Sequence, residues 1–312
     1  MMRIWIAVVV FAWAGVVQAE RPAKHVKAPD DLSVSLFSDP SLTPCVACLG
    51  VHADGSVFAG IDRIGSLGKG GGHGKILKLI DADHDGVADK HTVFAKIDNP
   101  RGIVPIGDKV YVLHTRWGDG KKFDGMYLSV LTDKNGDGKA DGPPKHLVKE
   151  ISTRKFNEKR GVDHTTNGIR MGIDGWIYIA IGDFGFVDAT GTDGRKLTMY
   201  GGGVVRVRPD GTELEEYVFG LRNIYDVAID PFMNLFTRGN TNDGGGWNIR
   251  FIHEIQSGNY GYPKMFKRYT EEILPALVDL GGGSGTGAMY FAEPGWPAKY
   301  TNVPMMCDWG RG

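Results

Sequence analysis

The chain has 312 residues, 36 of them basic and 37 acidic, for a formal net charge of −1. That balance excludes the basic excess of a nucleic-acid binder, and 42% apolar with 23% charged residues excludes wholesale disorder. Glycine is the outlier: 46 residues, with 15 prolines, about double the usual ~7% share and without a collagen period, which predicts many tight turns between many short strands.

In chain order, Arg3, the apolar run Ile4 to Val17 and the small-residue ending Val17-Gln18-Ala19 form the pattern of a secretory signal peptide. Residues 1–19 are therefore expected to be a leader, 20–34 a linker and 35–312 the folded domain. The mature chain is expected in the periplasm or outside the cell, with no membrane span, because no later segment is apolar enough to cross a bilayer. Cys45 and Cys48 make a C-x-x-C, but Leu49 follows where a haem site needs His. A local disulfide and two buried thiols both remain open for the pair, with Cys307 left over.

From there a theme repeats: an apolar strand, a Gly- or Asp-bearing turn, a second apolar strand. It occupies Leu49–Ala59, Gly102–Val112, Gly168–Ile179 and Ile224–Phe236, and starts again near Gly285, at steps of about 50 to 65 residues, at or above propeller-blade spacing. Third strands are predicted at Gly74–Leu79, Gly125–Val130 and Gly203–Arg208, and fourth strands at Thr92–Phe94, His146–Val148 and Glu216–Phe219. Four strands per repeat define a propeller blade. The fold class is all-β, a β-propeller of the six-bladed type with four to five blades present. The chain stops at Asp308–Gly312 with no closing strand visible, so a longer parent protein is expected. The best helical candidate is the short Glu271-Glu272-Ile273-Leu274. The seven Trp and eleven Tyr read mainly as packing between blades.

Two loops between third and fourth strands carry metal-ligand spacing. One is Asp81-x-Asp83-x-Asp85-Gly86-Val87-x-Asp89; the other is Asp133-x-Asn135-x-Asp137-Gly138-Lys139-x-Asp141. Alternate oxygen side chains point inward, Gly allows the sharp turn, and the carbonyls of Val87 and Lys139 add a seventh-position ligand. The Glu of an EF-hand at position 12 is missing and the flanks are strands, so these are EF-like loops in blade hairpins, expected to hold structural Ca²⁺. Gly68–Gly74 is Gly-rich but lacks phosphate-loop spacing. Gly244–Gly246 and Gly281–Gly283 read as inter-strand loops near the channel.

The third and fourth repeats carry a resemblance. His164-Thr165-Thr166-Asn167-Gly168-Ile169-Arg170, followed by Asp174–Asp183, resembles the active-site blade of soluble quinoprotein glucose dehydrogenases and aldose sugar dehydrogenases. Gly220-Leu221-Arg222-Asn223 is similar to that family's Arg-Asn segment. Trp247-Asn248-Ile249 with Gly258-Asn259-Tyr260-Gly261-Tyr262-Pro263 is similar to its Asn-Tyr-Gly-Trp-Pro ending. The leader and acidic loops also resemble exported "membrane-bound dehydrogenase"-type propellers of planctomycetes and verrucomicrobia, which often carry a C-terminal cytochrome c domain. The resemblance implies pyrroloquinoline quinone (PQQ) over a Ca²⁺ at the axis, and oxidation of a sugar or other alcohol. It implies His164 as base beside Asp183, with Arg222, Asn223 and Arg170 toward the cofactor and a cytochrome c as electron acceptor. A base near neutral pKa suits an alcohol, and Arg suits quinone oxygens gaining charge. The sequence departs from the family in two places. His164 lies six residues before Arg170, where the family has four and this chain has Thr166. Thr237-Arg238-Gly239-Asn240 replaces a Glu-Gln/His-Gly-Pro segment. The alternative expectation is a calcium-stabilised propeller that binds glycans or proteins without chemistry, or that serves a haem c domain as scaffold.

Overall fold

The structure is a computed structural model and describes residues 26–119, 121–240, 248–265 and 269–309. The expected leader, Gly244–Gly246, Trp247 and the last three residues lie outside the described residues, as does part of the expected linker. Four antiparallel meanders follow one another. The first is β1 (Val46–Val51), β2 (Val57–Asp62), β3 (Gly74–Ile80) and β4 (Lys90–Ala95). The second is β5 (Asp98–Ile106), β6 (Lys109–Trp117), β7 (Phe123–Thr132) and β8 (Lys145–Lys149). A short helix, α1 (Arg154–Arg160), leads into the third blade, β9 (Thr166–Met171) and β10 (Ile177–Ile181). That blade is then interrupted by a hairpin, β11 (Phe186–Gly191) and β12 (Lys196–Met199), before β13 (Gly202–Val207) and β14 (Glu215–Leu221) complete it. The fourth blade is β15 (Ala228–Ile229), β16 (Leu235–Arg238), β17 (Ile249–Glu254) and β18 (Val278–Gly281), and β19 (Ser284–Phe291) and β20 (Val303–Trp309) form a final hairpin. The propeller expected from the repeats is the fold observed.

Three details depart from the expected pattern. The β11–β12 hairpin leaves its own blade and pairs with β8, Thr190 opposite Lys149 and Gly191 opposite Val148, so the second sheet has six strands. The helix falls at Arg154–Arg160, whereas the expected site near Glu271 gives a single 3₁₀ turn, Thr270–Glu272. All three cysteines are free, with Cys45 exposed, so neither pairing expectation for Cys45 and Cys48 holds in full; burial pushes the Cys48 thiol up to about 12.

Strand alternation explains how the blades stack. Successive side chains of a strand point to opposite faces, and β10, Ile-Tyr-Ile-Ala-Ile, is buried at all five positions. Ile177, Ile179 and Ile181 pack on Leu113, Phe123 and Leu128 of the second blade. Tyr178 and Ala180 pack on Leu235 and Ile252 of the fourth. Phe58, Ile76 and Phe94 of the first blade meet Val112 and Leu131 of the second. Phe37 and Leu42, from the segment before β1, cover the outer face of the first blade at Ile61 and Leu77.

The innermost strands lie against one another at glycines. A Cβ on Gly50 would sit 2.7 Å from the Ile103 carbonyl, one on Gly102 2.7 Å from the Ile169 amide nitrogen, and one on Gly168 2.6 Å from Asp226. The recurring glycine of the repeat is therefore the residue that lets each inner strand approach the next. The meander direction puts the starts of β1, β5, β9 and β15 and the ends of β2, β6 and β10 on one rim of the molecule. His164, Asp183, Arg222, Arg101 and Asp62 all sit at that rim.

Candidate active site

His164 lies in the turn just before β9 with φ +58°, and Asp183 lies two residues past the end of β10. Close approach of the two strands brings them together. The amide of Gly182 donates to the Thr165 carbonyl at 2.7 Å and that of Phe184 to the His164 carbonyl at 3.2 Å. A Cβ on Gly182 would meet the His164 carbonyl oxygen at 2.4 Å, so only glycine allows this junction.

His164 Nδ1 stands 2.5 Å from Asp183 Oδ1, and the Tyr262 hydroxyl donates to Asp183 Oδ2 at 3.1 Å. Burial alone would raise the Asp183 carboxyl. The hydrogen bond and charge of His164 and the charge of Arg222 outweigh it and hold Asp183 below the usual carboxylate range. Burial and the Asp183 charge push the Tyr262 phenol up, so it stays a donor. An ionised carboxylate only accepts, so Nδ1 of His164 carries a proton toward Asp183, and in the neutral tautomer this fixes, Nε2 is the acceptor. The ring stacks on Phe184 at 5.2 Å between centroids, and Phe184 stacks on Phe156 of α1 at 4.5 Å. Asp163, 4.0 Å from Nε2, is already paired with Arg160.

Asp183, Phe184 and Tyr262 line a cleft of about 530 Å³ together with Phe156, Tyr200 and Phe219. Asp183, Asn259 and Lys264 are its polar members among mostly apolar and aromatic neighbours, and Tyr200 is 85% exposed. The cleft is the kind of concave, mostly apolar site with a few convergent polar groups that binds small molecules.

The other expected site residues divide. Arg222 is buried, hydrogen-bonds Asn240 Oδ1, and acts by its charge on both Asp183 and Tyr262. Asn223 is buried and accepts from Asn167 Nδ2 at 3.1 Å. Arg170 is ion-paired to Asp226 and donates to the Ala288 carbonyl at 2.6 Å, tying the third blade to β19. Arg222 thus stands beside the His–Asp pair, while Asn223 and Arg170 join neighbouring blades. Thr166, at the offset where the related family has its His, is buried with its hydroxyl on the Ile151 carbonyl. His164 is therefore the imidazole that reaches Asp183, despite the shifted spacing. Sequence reasoning did not single out Tyr262, Phe184, Gly182 or Asn240 as site residues. The Tyr-Gly-Tyr-Pro segment was a visible signal for the first; the others depend on packing across blades.

The two acidic loops have matching backbones. In each, the first Asp accepts from the glycine amide, Gly86 on Asp81 at 2.9 Å and Gly138 on Asp133 at 3.0 Å. The ninth-position Asp accepts from the second amide, Ala82 on Asp89 at 2.7 Å and Lys134 on Asp141 at 2.9 Å. The amides of Val87 and Lys139 donate to Asp85 and Asp137, and Asn135 accepts from Asp137. Oxygens of Asp81, Asp83 and Asp89 converge within 4.8 Å. Both loops also dock on the previous segment, through Ala88 to Phe37 and Ala140 to Phe94.

The fold is a β-propeller. Among solved structures, the chain is similar to PQQ-bound aldose sugar dehydrogenase from Streptomyces coelicolor, at 17% identity with a TM-score of 0.57, covering 84% of this chain and 81% of that one. It is similar to the same degree to a Thermus thermophilus protein assigned as a putative oxidoreductase (glucose dehydrogenase), at 15% identity and TM-score 0.57, covering 80% and 74%. At such identities the likeness is one of fold. No curated protein sequence matches. The chain belongs to the family described as domain of unknown function DUF7133, whose model matches residues 18–308.

Proposed function

We propose that the chain is an exported, quinone-dependent dehydrogenase of a sugar or other alcohol, with the His164–Asp183 pair as its base. The observation that carries the reading is the ordered chain Tyr262–Asp183–His164 at the edge of an aromatic cleft, with the Arg222 guanidinium beside it. The substrate hydroxyl gives its proton to His164 Nε2. Asp183 holds the ring in the tautomer that accepts this proton and stabilises the imidazolium that results. The aromatic walls suit the apolar faces of a sugar ring and displace water. Bound PQQ would supply the acceptor for the hydride leaving the carbon that bears this hydroxyl. The donor set fits that group at Arg222, a buried cation oriented by Asn240, and not at Asn223 or Arg170, whose side chains are engaged between blades.

Calcium belongs to the same reading. The paired loop backbones, the converging carboxylates of the first loop and Asp133 Oδ1, buried without a hydrogen-bond partner, support one structural Ca²⁺ in each acidic loop. Export by the N-terminal leader, residence in the periplasm or outside the cell and a cytochrome c as electron acceptor complete the proposal.

The test is to load the full chain with PQQ and Ca²⁺ and to follow dye reduction over a panel of aldoses and simple alcohols. Turnover with at least one substrate is expected. No turnover and no quinone bound would leave the second reading, a non-catalytic glycan-binding propeller, which the exposed Tyr200 and half-exposed Phe219 at the cleft favour.

A further inference from the structure

The connection between β17 and β18 folds back onto the third blade. The Phe219 amide donates to the Gly258 carbonyl and the Tyr260 amide to the Phe219 carbonyl, both at 3.1 Å, and the Tyr262 amide donates to the Gly220 carbonyl at 2.8 Å. Phe219 and Asn259 form a parallel bridge, so residues 258–262 lie as a short strap along the end of β14. Gly220 has φ +79°, and a Cβ there would sit 2.5 Å from Asn259 Oδ1 and 2.6 Å from the Gly261 amide nitrogen, so this close approach requires glycine. Tyr260, fully buried, anchors the strap in the fourth blade: its hydroxyl donates to the His253 carbonyl and accepts from the Ile255 amide at 2.9 Å.

The strap fixes Tyr262 against Arg222. Gly220, which accepts from the Tyr262 amide, lies two residues before Arg222 in the chain, and the two side chains hydrogen-bond each other. The phenol thus accepts from a buried guanidinium and donates to the Asp183 carboxylate at 3.1 Å. Donation by a cation polarises the O–H and strengthens the bond it gives. Asp183 Oδ1 faces His164 Nδ1 and Oδ2 faces Tyr262, so each oxygen has a donor and the carboxylate plane has one direction. The groups that act on Asp183 come from three elements: His164 from the turn before β9, Arg222 from just past β14, and Tyr262 from the strap. Beyond the imidazole, Asp163 faces Nε2 and is paired with Arg160.

We infer that Tyr262 is a positioning residue: a phenol delivered across the blade boundary, which orients Asp183 toward His164 and passes the charge of Arg222 to it. Its effect on turnover rests on the proposed dehydrogenase reading, whereas its hold on Asp183 is a property of the unloaded chain. Phe at this position keeps the ring that lines the cleft and removes the donor alone. Burial then acts on a carboxylate with one donor fewer, which shifts its titration upward.

The experiment is an NMR titration of the Asp183 carboxyl carbon in the full chain, labelled with 13C-aspartate and free of added quinone, for wild type and Y262F, with D183N to assign the signal. Wild type is expected to titrate below 3.8, and Y262F higher than wild type by about half a pH unit or more, with unfolding temperatures within a few degrees of each other. In the quinone- and calcium-loaded protein, Y262F is expected to lose about three- to tenfold in kcat at unchanged KM, and to lose more toward low pH, where its Asp183 is protonated first. A second measurement needs no variant: the Tyr262 hydroxyl proton of wild type should exchange slowly and shift as Asp183 titrates. Equal Asp183 midpoints in the two proteins, a hydroxyl proton blind to that titration, or an unchanged kcat and pH profile in an active enzyme would each overturn the inference. A raised midpoint in a protein that oxidises no alcohol would retain Tyr262 as the residue that holds Asp183 while removing the dehydrogenase proposal.

Discussion

Glu254, at the end of β17, is fully buried and neither carboxyl oxygen has a hydrogen-bond partner. Burial raises it from 4.5 to about 8, so at neutral pH it is held protonated among Tyr217 and Tyr260. The folded state keeps this proton where the unfolded chain has lost it, so the stabilisation is present in full below pH 4.5 and is lost as pH rises toward 8. The span corresponds to on the order of 5 kcal/mol. Glu254→Gln should flatten the fall in unfolding temperature between pH 5 and 8, and the variant should be the more stable protein at pH 8.5. An unchanged slope would contradict the assignment. Asp183 shows the opposite case. It is less enclosed, and an imidazole, a phenol and the charge of a guanidinium act on it, so that it stays ionised. Partners, rather than burial alone, decide which of the two carboxyls can orient a base.

At the scale of elements, the repeat glycines and the acidic loops carry the two clearest consequences. Gly102→Ala places a methyl against the Ile169 backbone nitrogen, where neither strand has a flexible atom to yield. A loss of about 1–3 kcal/mol is expected by urea unfolding. Gly55→Ala is the control: it has a positive φ of 85° but nothing within 4 Å, and should cost about 1 kcal/mol or less. Calcium should raise the unfolding temperature, by about 3 kcal/mol of stability per site at a hundredfold excess over its Kd. Asp83→Asn combined with Asp137→Asn should reduce the shift; a calcium response identical to wild type would remove the metal from both loops. These elements were legible in the sequence because they are local. Strand, turn and loop periods follow from neighbouring residues, and the inner glycines announced the repeat before their axial role was known. The β11–β12 hairpin was not legible, because its pairing with β8 depends on the adjacent blade. Nor was the placement of Arg170 and Asn223, whose partners Asp226 and Asn167 lie 56 residues away in the chain. His164 and Asp183, 19 residues apart across one β9–β10 turn, were within reach.

Across the whole molecule, part-buried ion pairs tie the fourth blade to the last hairpin. Arg238 of β16 pairs with Asp308 of β20, and Arg170 with Asp226 and the Ala288 carbonyl. Asp31, before the first blade, meets Lys299 and Tyr300 from the connection between β19 and β20, so residues far apart in sequence share one edge of the molecule. Removing one partner of a part-buried pair leaves a poorly compensated charge. Asp308→Ala should therefore cost about 1–3 kcal/mol, while replacing Arg238 and Asp308 together by Met and Leu should recover most of it. Equal losses in the single and double variants would show that the hairpin docks by packing alone. The rim that this scaffold presents carries the aromatic cleft, and its proposed chemistry rests on the His164 imidazole hydrogen-bonded to Asp183. The most direct measurement is the rate of dye reduction by the quinone- and calcium-loaded protein, wild type against His164→Gln. The variant should bind the quinone with unchanged stoichiometry and turn over slower by about a hundredfold or more. Equal rates for the two proteins, or a quinone-loaded wild type that oxidises no alcohol, would contradict the assignment of His164 as the base.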